Sequence, residues 1–325
     1  MNLSTTYLGL QLKNPIVVAS SGLTKNVDNI KKCEQTGAGA VVMKSLFEEQ
    51  IRAEGTAVAG STMMHPEAYE YVRAELEMQY GPREYAKTLS EAKKSVSIPI
   101  IASINCHSDK WWLNYAKQLQ DAGADALELN VYVLPFDGTK SGAEIENMYL
   151  QVLKAVLAQV SIPVSIKLSP YFTSFGNFAK QLDRNGAKGL VLFNRFIQPD
   201  INLKDMTPNV KAAFDDPIGF MHALRWVALL SDKVALDLAA SGNIRTADDV
   251  IKQILAGAAV VQVASVLYKE GMNAIQTMCD GIEAWMKTKG YDSIADYYGK
   301  LSTTGDAKDE SFIRAQFIKT MTGIE

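Results

Sequence analysis

Short apolar runs rich in β-branched residues alternate along the chain with longer stretches whose apolar positions recur at helical spacing. A buried strand needs only a brief apolar run and an amphipathic helix needs a period of 3.6, so the alternation predicts parallel strands joined by crossover helices. Eight runs are legible: Ile16 to Ala19, Ala40 to Lys44, Pro99 to Ser103, Ala126 to Asn130, Pro163 to Lys167, Gly189 to Phe193, Val234 to Ala239 and Val260 to Val263. Eight such units predict an α/β fold, a closed (β/α)8 TIM barrel. An open doubly wound sheet is the alternative that the same pattern allows.

An internal echo accompanies the count. Gly37-Ala38, Gly123-Ala124, Gly186-Ala187 and Gly257-Ala258 each close a helical stretch just before strands two, four, six and eight, where glycine is a helix C-cap signal. Strands three and five are both introduced by Ser-Ile-Pro, at Ser97-Ile98-Pro99 and Ser161-Ile162-Pro163, with proline ending one segment and setting an extended entry. Two insertions stand out: Ser45 to Ile98, longer than one helix needs, and the polar stretch Asn194 to Asp216. In a barrel both follow strand C-termini, the face on which βα loops build active sites. With no linker to divide it, the chain is expected to be a single barrel domain over 1–325, with a polar turn and short helix appended at 302–325.

Composition narrows the class. Of 325 residues 47% are hydrophobic and 21% charged, ordinary values for a globular protein able to bury a large core. A formal net charge of -3 without long runs of either sign argues against nucleic acid as a partner. The start lacks secretory features and no apolar run reaches membrane-spanning length, so a cytoplasmic protein without membrane association is expected. Cys33, Cys106 and Cys279 are too scattered for a disulfide framework or a metal cluster, and no metal is expected.

The residues that finish the strands are polar or small: Ser20-Ser21-Gly22, Lys44-Ser45, Ser103 with Asn105, Asn130, Lys167, Asn194, Ser241-Gly242 and Ala264-Ser265. Lys44 and Lys167 end otherwise apolar strands. A buried ammonium is costly without an anion or acceptors, which leaves a ligand-facing role or an internal ion pair for each. After strand seven, Ser241-Gly242-Asn243 leads to a helix with Thr246 as its expected N-cap. Small residues there and at Ala264-Ser265 leave backbone N–H groups open near helix starts, a common phosphate site in barrels that fits FMN, sugar phosphates and pyridoxal phosphate alike.

The chain resembles the class 1, cytosolic dihydroorotate dehydrogenases over nearly its whole length. The resemblance is carried by LGLQLKNPIVVASSG, GAGAVVMKS, LELN, SIKLSPY, SGNIRTADDVIKQILAGAAVVQVASVLYKEG and KGYDSIADYYGKL. It implies an FMN-dependent oxidoreductase that acts on a CH–CH bond, dihydroorotate to orotate in pyrimidine biosynthesis, often as a homodimer. It also implies that Ala19, Ser20, Ser21 and Gly22 lie against the flavin, with Lys44 and Ser45 near ring and substrate. Asn105, Asn130 and Lys167 would meet the ring, while Ser241, Gly242, Asn243, Ala264 and Ser265 would hold the phosphate; Asn243 stands where the family usually has a second glycine.

The substrate side departs further. Val131-Tyr132-Val133-Leu134-Pro135 follows LELN where the family has Ser-Cys-Pro-Asn, which puts Val133 at the position of the cysteine base. Ser61-Thr62-Met63-Met64-His65-Pro66 corresponds to the family's Asn-Ser-Met-Gly-Leu-Pro, making Ser61 and Met63, with Lys44, Asn130 and Asn194, the implied substrate contacts; Arg195 follows Asn194 where a small hydroxyl residue is usual. Tyr132 and Cys106 are the candidates for a replacement base, and His65, His107 and Asp137 are within conceivable reach. Apart from an oxidoreductase acting on a small cyclic amide, two readings stay open: a Schiff-base enzyme using Lys44 or Lys167, and an FMN-binding barrel without dehydrogenase activity.

Overall fold

The computed structural model describes residues 1–47, 81–106, 112–131, 133–194, 200–209 and 217–302. All eight expected strands form: β3 (Ile16–Val18), β4 (Ala40–Val42), β6 (Ile100–Cys106), β7 (Ala126–Val131), β8 (Val164–Leu168), β9 (Gly189–Leu192), β12 (Asp237–Ser241) and β13 (Val260–Val263). They pair in parallel in the order β4-β3-β13-β12-β9-β8-β7-β6, and β6 returns to β4, so the sheet closes into a TIM barrel. Short β5 (Leu46–Phe47) continues strand two after a slip. Val42 stands opposite Ile101 but Leu46 opposite Ile104, so Met43 to Ser45 carry one residue more than the facing strand, the mark of a bulge.

Alternation along each strand separates two packed layers. Outward side chains such as Val41, Leu127, Ile166, Leu190 and Val261 meet the helices through Ile30, Leu89, Leu119, Leu153, Phe178 and Ile254. Inward Val17, Ala40, Val42, Ile101, Ala126, Val191, Ala239 and Val260 form a second cluster with Tyr7, Leu8 and Leu12. Those last three belong to an antiparallel hairpin, β1 (Thr5–Tyr7) and β2 (Leu10–Leu12), whose turn residues Leu8 and Gly9 have φ of 56° and 75°. The hairpin plugs the strand N-terminal end: Leu8 N–H donates to Asp237 Oδ2 at 2.6 Å, and a Cβ on Gly189 would stand 2.7 Å from Leu8 Cδ2. With that end closed by side chains, only the strand C-terminal end is left for a site.

The Ser-Ile-Pro echo has a shared cause. Glu34, next to the end of the helix Val27–Gln35, accepts at Oε1 from Ser97 N (2.7 Å), Ser97 Oγ (2.6 Å) and Ile98 N (3.2 Å). Gln120, at the same place in the helix Trp112–Asp121, accepts from Ser161 N, Ser161 Oγ and Ile162 N at 2.6, 3.3 and 3.2 Å. Each helix end thus satisfies the backbone donors of the next αβ turn. The expected C-cap glycines are left-handed, with φ of 99°, 102°, 92° and 109° at Gly37, Gly123, Gly186 and Gly257. Thr246 caps the helix Ala247–Ala256 as expected, accepting from Asp249 N at 3.2 Å.

Strand seven corrects its expected start. Val234 N–H still donates to Leu230 O at the end of the helix Pro217–Leu230, and Ala235 N–H donates to Asp183 Oδ2, so Val234 to Leu236 are an αβ turn packed on the core and pairing begins at Asp237. In the insertion after β9, β10 (Asp200–Asn202) and β11 (Thr207–Asn209) form a hairpin with exposed Ile201, Leu203 and Met206. The expected appendage at 302–325 lies outside the described residues beyond Ser302.

Gly39 gives a direct test of this frame. Its N–H donates to Ile16 O at 2.8 Å, and an added Cβ would fall 2.2 Å from the carbonyl oxygen of Asn14, a backbone atom fixed by its neighbours. Gly39→Ala is expected to lower unfolding free energy by about 2 to 3 kcal/mol, as overpacking typically does, read as a fall in the urea midpoint; an unchanged midpoint would contradict the packing described.

Candidate active site

On β7 the alternation that sends Leu127, Leu129 and Val131 to the helices turns Ala126, Glu128 and Asn130 into the barrel. Register then sets three polar residues at one level, Asn105 opposite Asn130 and Asn130 opposite Lys167. Asn194, just past β9, donates from Nδ2 to Asn130 Oδ1 at 2.8 Å. Lys167 is 7% exposed. Its Nζ donates to Gln262 Oε1 at 3.0 Å, and Gln262 Nε2 donates to Glu128 Oε2 at 2.5 Å. Glu128 is fully buried, and its Oε1 lies 4.0 Å from Lys167 Nζ without a hydrogen-bond partner among the described residues. The lysine therefore has an internal counter-ion and still ends at the barrel mouth. Glu128 and Gln262 were not among the expected site residues. The signal was there, in an acid and an amide placed inside runs otherwise too apolar to hold them.

Strands one to three supply hydroxyls. Ser20 Oγ and Ser45 Oγ are 2.9 Å apart, Ser45 Oγ and Ser103 Oγ 2.8 Å, and Ser45 N–H donates to Ser20 Oγ at 2.8 Å. The bulge at Met43 to Ser45 carries both Lys44, half-buried, and Ser45. Tyr85 braces the chain from outside, its hydroxyl accepting from Ser103 N–H at 3.0 Å. Burial pushes the Tyr85 phenol well up, so it stays protonated and structural. Ser21 caps the short 3-10 turn Gly22–Thr24 through Leu23 N–H at 3.3 Å.

β12 and β13 are neighbours, with Ser241 opposite Gln262, so the turns that follow them lie side by side. Gly242 and Asn243 have φ of 114° and 53°; asparagine is among the few residues besides glycine that adopt the second value readily. Asn243 thus keeps a backbone that a glycine would give, and its buried Oδ1 has no partner among the described residues. Ala264 caps the helix Ser265–Glu270 without a side-chain bond, its carbonyl accepting from Leu267 N–H at 3.0 Å and Tyr268 N–H at 3.2 Å. A Cβ on Gly22 would stand 2.8 Å from Tyr268 Oη, so the first strand's turn lies against the side chain of this helix's Tyr268.

Several expected residues are not placed. Ser61, Met63, His65, His107, Tyr132 and Arg195 lie outside the described residues, as does the side chain of Cys106. Val133 is half-buried against the core. Asp137 is tied into its own turn, accepting from Thr139 N–H at 3.0 Å and Thr139 Oγ1 at 2.6 Å, which hold its carboxyl below the usual range. Burial pushes the Cys33 thiol up to about 12 and the Cys279 thiol to about 11. Both are expected to resist iodoacetamide at pH 8 until the protein unfolds, because the thiolate is the reactive form; stoichiometric alkylation of either in the native state would contradict that. Among the described residues no group of three or more metal-ligating side chains gathers, and no helix is long and apolar enough to cross a membrane.

Fold and site together define a (β/α)8 barrel protein whose buried charges and hydroxyls gather at the strand C-terminal mouth. The chain belongs to the dihydroorotate dehydrogenase family, whose model matches residues 2–286. It is 26% identical to a Thermoplasma acidophilum protein described as the catalytic subunit of dihydroorotate dehydrogenase B (NAD(+)), over 92% of this chain and 98% of that one. Identity is 28% to a putative dihydroorotate dehydrogenase A (fumarate) of Aeropyrum pernix, covering 91% and 96%. It is 27% to a dihydroorotate dehydrogenase A (fumarate) of Limosilactobacillus reuteri, covering 81% and 86%.

Proposed function

We propose that the protein is a class 1-like, FMN-dependent oxidoreductase acting on the CH–CH bond of a small cyclic amide, with proton transfer altered from that of its relatives. The observation that carries this reading is the joint placement, at one barrel mouth, of a buried, acceptor-held lysine and two adjacent strand-end turns, one left-handed at Gly242 and Asn243 and one opening the helix Ser265–Glu270 without a side-chain cap. The residues present fit FMN. Ser241, Gly242, Asn243, Ala264 and Ser265 would hold the phosphate, Asn243 keeping the left-handed backbone a glycine would give there. Ala19 to Gly22, Lys44, Ser45, Asn105, Asn130 and Lys167 would hold the ring. Bound there, FMN would supply the acceptor for a hydride removed from carbon.

The chain's own groups perform the rest. Lys167 Nζ places a fixed cation at the mouth, suited to the negative charge that two-electron reduction brings. Asn194 fixes the Asn130 amide through its Oδ1, which leaves the Asn130 Nδ2 donors to face a ligand. The Ser20–Ser45–Ser103 chain orients hydroxyls on the opposite side. Val133 can neither accept nor donate a proton, so the base is another group, with Tyr132 and Cys106 the candidates; Ser61, Met63, Lys44, Asn130 and Asn194 would contact the substrate. A single barrel unit acting in the cytoplasm as a homodimer completes the proposal, with exposed Ile201, Leu203 and Met206 of the β10–β11 hairpin as apolar surface for a second copy. Anaerobic addition of a panel of dihydropyrimidines and related cyclic amides should include at least one compound that bleaches the bound flavin. Failure of every member, with the flavin still reducible by dithionite, would instead favour a barrel that binds FMN without this chemistry.

A further inference from the structure

We infer that Glu128 is a positioning residue that sets the charge presented by Lys167, and through it the reduction potential of the bound cofactor. The inference rests on the FMN reading and deepens it.

Four observations carry it. Glu128 is fully buried in the barrel, so its charge faces protein groups and not bulk water. Its Oε2 is fixed by Gln262 Nε2, while the same amide's Oε1 accepts from Lys167 Nζ, so one side chain holds both charged groups in place. Its Oε1 lies 4.0 Å from Lys167 Nζ with no hydrogen-bond partner among the described residues, close enough to offset the ammonium charge without a direct hydrogen bond that would turn the lysine inward. Lastly, β7, β8 and β13, which carry the three residues, also bring Asn130, Lys167 itself and Ala264 to their C-terminal ends, the residues assigned to the ligand. A buried carboxylate at this distance weakens the field that the lysine projects outward, because Coulomb interactions are little screened inside protein. Other polar groups facing this interior include Ser165, whose Oγ donates to Leu127 O, the buried Tyr7 hydroxyl of the plug, and Asp237. Asp237 is held at the plugged strand N-terminal end, where its Oδ2 accepts from Leu8 N–H, so Glu128 is the carboxylate that lies beside Lys167.

The consequence has a sign. Glu128→Gln keeps the shape and the bond to Gln262 but removes the negative charge, so Lys167 should favour the reduced, more negative cofactor more strongly. Gln262→Glu adds a second carboxylate beside Lys167 and should do the opposite. In the FMN-loaded protein we expect Glu128→Gln to raise the ratio of reduced-form to oxidised-form affinity by about tenfold, which for a two-electron couple is a midpoint shift of about +30 mV. Gln262→Glu should shift it negatively. Glu128→Asp, which keeps the charge, should stay nearer the native value than Glu128→Gln. Thermal unfolding of each apoprotein provides a reading without the cofactor: Lys167→Met should be less stable than Lys167→Met/Glu128→Gln, since the double variant leaves no lone buried charge.

Opposite shifts of potential together with rescue in the double variant would support the proposal. Unchanged potentials in both charge variants, with FMN bound and only melting temperatures altered, would overturn it and leave the FMN reading standing. Rescue in the apoprotein with no FMN uptake by the native chain would overturn both. Should Glu128→Gln fail to fold, a null shift in Gln262→Glu would be sufficient to reject the proposal.

Discussion

Mixed anaerobically with dihydroorotate, the FMN-loaded native protein is expected to bleach slowly or not at all, and Val133→Cys is expected to bleach faster. Oxidising dihydroorotate removes a proton from one carbon as hydride leaves its neighbour, and a positioned base contributes a factor of about 10² to 10⁴ to such a step. The resemblance puts Val133 at the base position, and valine has no group that takes a proton. The exchange is mild for the fold, since Val133 is only half-buried and a thiol of similar size replaces it. Fewer substrate amides at Ser61 and at Val133 to Pro135 should also weaken binding, at roughly 1 to 3 kcal/mol for each lost bond to a buried or charged group. Rapid bleaching by the native protein would refute the lost-base account and restore the chemistry named for its relatives.

The second large effect belongs to Lys167. Lys167→Ala removes a 7% exposed ammonium and leaves Glu128 fully buried with its charge uncompensated. Breaking a buried pair on one side costs roughly 3 to 5 kcal/mol, so the urea midpoint should fall, and FMN affinity should fall with it because the cation facing the ring is lost. An altered midpoint with native FMN affinity and potential would make the lysine purely an internal ion pair. Covalent trapping at Lys167 or Lys44 by borohydride with a carbonyl ligand would point to the Schiff-base reading instead.

The barrel was legible because its signals are local. Each strand is a short apolar run, the αβ turns before strands two, four, six and eight carry a left-handed glycine, and the Ser-Ile-Pro repeats recur because Glu34 and Gln120 grip them in the same way. What escaped is non-local. The β1–β2 hairpin is three residues a side, and Leu8 at positive φ is held by the cluster it forms with Val17, Val191 and Ala239 and by its N–H bond to Asp237. The apolar pattern places the start of strand seven at Val234, ahead of the pairing that begins at Asp237, because an apolar turn and a buried strand look alike in sequence. The lysine at the end of SIKLS was recognisable as needing a partner, but that the partner was Glu128, reached through Gln262, depends on which strands meet across the barrel. Asn243 shows the reverse: a departure from a glycine pattern that the backbone absorbs, since asparagine accepts the same φ. The stretch bearing Ser61, Met63 and His65 lies outside the described residues.

The central claim is that this barrel mouth holds FMN, and the most direct measurement is titration of flavin-free protein with FMN, followed by fluorescence quenching and by the visible spectrum of the complex after gel filtration. The account predicts saturable binding of one FMN per chain that survives filtration, with weaker retention in Lys167→Ala. Native protein that purifies without flavin absorbance and elutes free of added FMN would contradict it.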